Sequence, residues 1–307
     1  MKESGLRCIR GNLGIQGPDG NTSMNITILG TESLGVRGLC CKVTVRGNTI
    51  VIDPGVALGY NRHGFLPHPV QVARGEDVRR TIIAALKDAT DVVFSHYHGD
   101  HVPLPDANPY QLNLHTVAPL LKNVRIWAQG RGSISRNMQS RSSEISTVLQ
   151  RSLPNAKGKC EGIFTFSRSV PHGDPHSRFG TVMMTRIEDD YVFVHASDIQ
   201  MLYTPTIKQL IQWKPDIVIA SGPPVYLPHL SFEQKEIARI NAEMLAEAVD
   251  TLILDHHVLR SIKGMAWVDA LPSNVVCAAD FMGVDRRLLE ARRRYLYKKN
   301  ACSSSVA

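Results

Sequence analysis

Six residues constrain this chain more than any other feature: His96-Tyr97-His98-Gly99-Asp100-His101 places three imidazoles and a carboxylate directly after an apolar run. Asp91-Val92-Val93-Phe94-Ser95 reads as a buried strand, and the stretch from Glu76 to Thr90 before it sets Val78, Ile82, Ile83 and Leu86 on one helical face. The cluster therefore sits at the carboxyl end of a strand in an α/β arrangement, where such sheets build their sites. Imidazole nitrogens mixed with carboxylate oxygens suit zinc and also serve manganese or iron. If the loop begins extended, alternation points His96 and His98 the same way, leaving Asp100 and His101 to face a second ion. A surface turn rich in histidine by accident would lack the rigid strand immediately before it.

Strands come first and in pairs. Met24 opens the strand-like run MNITILG, and the stretch from Cys41 to Asp53 breaks at Gly47-Asn48 like a hairpin, with Val43/Val45 and Ile50/Ile52 alternating about the turn. Further on, Val124 to Ala128 reads as a strand and Ile134 to Leu153 as a polar-faced helix. Thr181 to His195 reads as a hairpin turning at Asp189-Asp190, and Asp216 to Ala220 as a buried strand. Ser231 with Gln234 forms a capping-box signature; Ile237, Ile240, Met244, Leu245 and Val249 then mark one apolar face, leading to a last short strand from Thr251 to Leu254. The expected organisation is an N-terminal extension (1–23), one domain (24–290) and a basic tail (291–307) whose default reading is a solvated helix end. Met1 and Met24 both stand as candidate starts.

With 307 residues, 43% of them hydrophobic and 21% charged, the chain can bury a sizeable core. It has neither a run long and apolar enough to span a membrane nor the apolar core of a secretory signal, so the expectation is a cytoplasmic protein without membrane association. Its six cysteines lack CxxC spacing and read as reduced thiols, and the sequon Asn21-Thr22-Ser23 has no secretory context. A net charge of +7 leaves nucleic acid open as a partner beside a small-molecule substrate.

The HxHxDH string resembles the signature of the metallo-β-lactamase superfamily, and the resemblance extends over most of the chain from Met24 onward. It implies an α/β fold, the four-layer αβ/βα sandwich, and its further stations occur in order at the ends of strand-like runs: Ile52-Asp53-Pro54-Gly55, Pro171-His172-Gly173, His195-Ala196-Ser197-Asp198 and Leu254-Asp255-His256-His257. Carried over residue by residue, it implies His96, His98 and His172 around one divalent ion, zinc first and iron or manganese next. Asp100, His101 and His256 fall around a second ion, with Asp198 bridging. His257 competes with His256 for the ligand role; His256 is preferred because Arg260, four residues later, resembles the closing motif of the superfamily's transfer-RNA-processing nucleases. The wording Glu32-Ser33-Leu34-Gly35-Val36-Arg37, the run Ile52 to Leu58 and the Leu254 to His257 ending are similar to an uncharacterised archaeal group of metallo-β-lactamase-like proteins.

Such a ligand set implies a metal-dependent hydrolase. Two cations roughly 3.5–4 Å apart lower the pKa of a bridging water to supply hydroxide and polarise a carbonyl or phosphoryl oxygen, while Asp198, or Asp100, orients the water or accepts its proton. Asp53 reads as support for a ligand. His257, Arg260, Tyr226 and His63 read as supporting or substrate-facing, with Arg62 and His68 in the same Gly/Pro-rich loop as His63. The expected substrate is a small ester, thioester, lactone or phosphoester. Two alternatives stand beside it: a metallo-nuclease acting on RNA or DNA, which the basic charge favours but the lack of an inserted clamping domain does not, and a non-catalytic, metal-stabilised binding protein, which the intact ligand set argues against. The superfamily's di-iron branch typically has Glu where this chain has His98, which favours hydrolysis over redox chemistry. Substrate, native metal and oligomeric state are left open, because one fold hosts many reactions.

Overall fold

The computed structural model describes residues 8–9, 12–16, 22–132, 134–175 and 179–303. Its first sheet has seven strands whose spatial order equals their chain order: β1 (Cys8–Ile9), β2 (Asn12–Gln16), β3 (Thr22–Gly30), β4 (Cys40–Val45), β5 (Asn48–Ile52), β6 (Asp91–Phe94) and β7 (Arg125–Ala128). The first five pair antiparallel, and β5, β6 and β7 run parallel. Helices α1 (Pro69–Lys87), α2 (Leu114–Leu121) and α3 (Arg136–Leu149) belong to this half.

The second sheet repeats the plan. It is built from β8 (Cys160–Glu161), β9 (Phe164–Phe166), β12 (Thr185–Glu188), β13 (Val192–His195), β14 (Ile217–Ala220), β15 (Thr251–Leu254) and β16 (Val275–Val276), while β10 (Val170–Pro171) and β11 (Thr181–Val182) form a separate pair. Here β13 to β16 are the parallel set. Helices α4 (Thr204–Gln212), α5 (Phe232–Ala246), α6 (Ile262–Asp269), α7 (Ala278–Phe281) and α8 (Arg293–Ser303) complete the chain.

Alternation along the strands produces the layers. Ile50, Ile52 and Val93 pack with Phe164, Phe193 and Leu254 of the opposite sheet, whereas Val51, Val92 and Phe94 pack with Val78 and Ile82 of α1, Val117 of α2 and Ile145 of α3. Ile207 of α4 and Ala242 of α5 belong to the second half's core. Two facing sheets flanked by helices are the αβ/βα sandwich that the sequence implied.

Several local expectations are corrected. α1 starts seven residues earlier than the Glu76 boundary, because Pro69 occupies its first turn and His68 with Gln71 forms a capping box; His68 is thus a buried helix cap. In α5 the Ser231 box is present, but the buried face is Ala238, Asn241, Ala242, Leu245 and Ala246, while Ile237 and Ile240 are exposed. Small side chains let the helix approach the sheet closely, and Asn241 Nδ2 donates to Met201 O at 2.8 Å. The expected 181–195 hairpin is confined to β12 and β13, since β11 turns away to β10, and β16 follows the strand expected to be last. In the basic tail Arg293 is wholly buried rather than solvated. It donates to Gly59 O, Phe65 O, Gln71 Oε1 and Glu290 Oε2 at 2.6–3.1 Å. Cys40, Cys41 and Cys277 are free buried thiols, and Cys160 is an exposed one.

Candidate metal centre

Both halves deliver side chains to one place from the carboxyl ends of their strands. Asp53 follows β5, Ser95 and His96 follow β6, His172 follows β10, Ser197 and Asp198 come just after β13, and Asp255 and His256 follow β15. Asp53, Ser197 and His256 each adopt a left-handed backbone, with φ of 49°, 56° and 73°. Non-glycine residues held there mark turns that the surroundings over-determine.

Asp198 lies at the middle. Its Oδ2 is 2.8 Å from His172 Nε2, 3.1 Å from His257 Nε2 and 3.5 Å from His96 Nε2. Its Oδ1 is 3.3 Å from His101 Nε2 and 3.6 Å from His256 Nε2. One carboxylate thus divides two groups of ligand-type atoms. His96, His98, His172 and Asp198 can converge within 4.8 Å, as can Asp100, His101 and His256. His257 forms a further set with Asp198 and His256.

The remaining ring nitrogens are held from behind. Asp53 accepts the Ser95 amide at 2.8 Å and the Ser95 hydroxyl at 2.6 Å, and its Oδ2 lies 3.0 Å from His101 Nδ1. Ser95 Oγ is also 2.9 Å from His96 Nδ1 and 2.6 Å from Ser197 Oγ. His256 Nδ1 lies 2.6 Å from Glu32 Oε2, so its Nε2 faces the centre. Arg260 donates from Nε to Glu32 at 2.8 Å; its Nη2 is 3.2 Å from Asp100 Oδ2 and 2.9 Å from His256 Nε2. Asp255 accepts from Thr31 Oγ1, the Ser33 amide and the His256 amide, tying the Glu32 turn to the His256 turn.

Burial first, then the charge of His101, brings His96 down to about 4; burial first, then Arg260, does the same for His257. His98 and His256 fall well below the usual imidazole range, chiefly through burial. Neutral imidazole is the form that binds metal. At Asp100 and Asp198 burial works upward, but the neighbouring imidazoles, His101 first, and at Asp100 also Arg260, outweigh it and hold both carboxyls well below their ordinary value.

All seven residues expected as ligands are brought together here, with Asp53, His257 and Arg260 against them. Tyr226 lines the cavity over the centre. His63 does not join; it lies on an exposed turn among Arg62 and the tail arginines. Glu32, Ser95, Ser197 and Asp255 went unrecognised as site residues. The signals were faint: a strand-final serine in each half, and acidic residues beside motifs already in view.

A cavity of about 520 Å³ adjoins the centre, and His98, Asp198 and Arg260 line it together with Leu202, Leu227 and Leu230.

No family model matches the chain. It is 49% identical over 282 residues to a UPF0282 protein of Methanosarcina mazei, covering 90% of this chain and 92% of that one. It is 33% identical over 286 residues to a UPF0282 protein of Methanopyrus kandleri, covering 88% and 98%. Among solved structures it is similar to a CmlA beta-hydroxylase mutant (TM-score 0.41, 12% identity, 86% of this chain but only 50% of that chain). It is also similar to a Cronobacter sakazakii metallo-beta-lactamase with a HARLDQ motif (TM-score 0.34, 15% identity, 93% of both chains). Neither structural likeness bears on chemistry.

Proposed function

The chain belongs to the UPF0282 family, and we propose that its centre makes it a metal-dependent hydrolase of a small substrate. The observation that carries this reading is a pair of orphaned atoms: His96 Nε2 and Asp198 Oδ1 are buried without a hydrogen-bond partner, both aimed into a cluster of imidazoles. Buried polar atoms left unpaired are costly, and divalent cations, one at each ligand set, would satisfy them. The donor set fits zinc, with iron or manganese as substitutes. In this reading His96, His98 and His172 would hold one ion and Asp100, His101 and His256 the other, with Asp198 between the two sets.

Ions bound there supply Lewis acidity and lower the pKa of water. The chain's own residues do the rest. Asp53 fixes the His101 ring and Glu32 the His256 ring, so each presents Nε2 to the centre. Asp198, or Asp100 where Arg260 leaves it free, orients the attacking water and accepts its proton. His257 faces the cavity beside Asp198, at a place where it contacts substrate. Among the described residues no helix is long and apolar enough to cross a membrane.

The test is metal content of protein purified without chelator, beside His98→Ala. The expected result is about two ions per chain, with the variant losing at least one together with any hydrolysis of an ester, thioester, lactone and phosphoester panel. Protein that takes up no metal, and whose stability ignores added zinc, would sink the reading.

A further inference from the structure

Resting on that hydrolase reading, we propose that the cavity selects carboxylic esters, thioesters or lactones whose acyl arm is uncharged, apolar and several carbons long. The arm lies against Leu202, Pro224, Leu227 and Leu230, which line the cavity together with His98, Asp198 and His257. The cavity's volume, about 520 Å³, falls within the usual range for small-molecule sites, which are mostly apolar with a few placed polar groups.

Charge narrows the choice further. Arg260 is the sole Lys or Arg among the described residues lining the cavity, and its guanidinium is engaged by Glu32 at 2.8 Å and Asp100 at 3.2 Å. Arg62 donates to Arg260 O and lies 5.3 Å over the Tyr226 ring. Asp174 also lines the cavity, accepting from Gln234 Nε2 at 3.1 Å. Away from the proposed ions, an anionic tail meets among the described residues one guanidinium that is already paired. A hydrocarbon arm meets leucines, and each buried methylene contributes about 0.8 kcal/mol. Hydrolysis then adds water across the acyl–oxygen or acyl–sulfur bond: the acyl carbon takes the hydroxyl, the leaving oxygen or sulfur takes the proton, and the product is a carboxylate with an apolar arm.

That product allows a test independent of turnover. Acetate, butyrate, hexanoate and octanoate are titrated calorimetrically into zinc-loaded protein, into Leu227→Trp, which fills the wall, and into Leu227→Ala, which opens it. Both variants are checked for folding by thermal midpoint. Affinity is expected to tighten by up to about fourfold per methylene, with the Trp variant flattening the series beyond butyrate and the Ala variant retaining it. A flat series in the unmodified protein, or one that Leu227→Trp leaves intact, overturns the proposal. So does faster hydrolysis of bis(p-nitrophenyl) phosphate than of any acyl ester in the same length series. Length-dependent carboxylate binding without turnover of any ester, thioester, lactone or phosphoester instead sinks the hydrolase reading while the arm-binding wall stands.

Discussion

At the scale of single residues, the chain separates what touches the centre from what holds it. Asp53 shows how. Its backbone sits at φ 49° and its carboxylate serves Ser95, Ser197 and His101 together. Asn tolerates the left-handed region, so Asp53→Asn keeps the turn and one acceptor but turns the other oxygen into a donor facing His101. The expected outcome is a folded protein whose zinc affinity falls roughly 10–100-fold, the usual cost of losing such a partner, read by competition with a chromophoric chelator. Arg260 works in the opposite sense. Its Nη2 reaches Asp100 and His256, two of the proposed second-ion ligands, so a resident cation competes there and not at the His96, His98 and His172 set. Two-step zinc binding is expected, and Arg260→Met should tighten the weaker step while leaving the stronger unchanged. Equal affinities, or an unchanged weak step, would contradict this. The residues proposed as ligands could be picked out of the sequence because each stands in a motif at a strand end. Glu32 was not, because it meets His256 across 224 residues of sequence.

At the scale of elements, the strands and the helix caps could be read, whereas the facing of α5 could not. Pattern reading follows large aliphatic side chains, and Ile237 and Ile240 drew the apolar face to the wrong side. The sheet instead accepts Ala238 and Ala242, both wholly buried, because close approach rewards small residues more than bulk. Ile240→Lys, at a position half exposed, should therefore shift stability by no more than about 0.5 kcal/mol. Ala242→Leu should cost about 1–3 kcal/mol by overpacking. Denaturant melts of the two variants check the pair, and a reversed order would mean that the helix is turned the other way. The early start of α1 has a similar cause: Gly75 weakens the helical pattern, and the cap at His68 sets the boundary.

For the whole molecule, the consequence of this architecture is that function and cohesion share one location. The first half supplies His96, His98, Asp100 and His101; the second supplies His172, Asp198 and His256. The sheets already share an apolar core, and each ion proposed at their strand ends joins the halves again. A ligand that binds the folded state alone stabilises it by about 4 kcal/mol at a thousandfold excess over its Kd. For a chain of this size, each kcal/mol moves the melting midpoint by roughly 2–4 °C. Removing metal with a chelator should lower the midpoint by on the order of 10 °C, and zinc should restore it. Because the proposed tighter ion would draw its ligands from both halves, His172→Ala and His96→Ala should each abolish most of that increment, although one residue lies in each half. If only substitutions in one half did so, the ions would be held by that half alone, and the interface between the sheets would owe its cohesion to the apolar core.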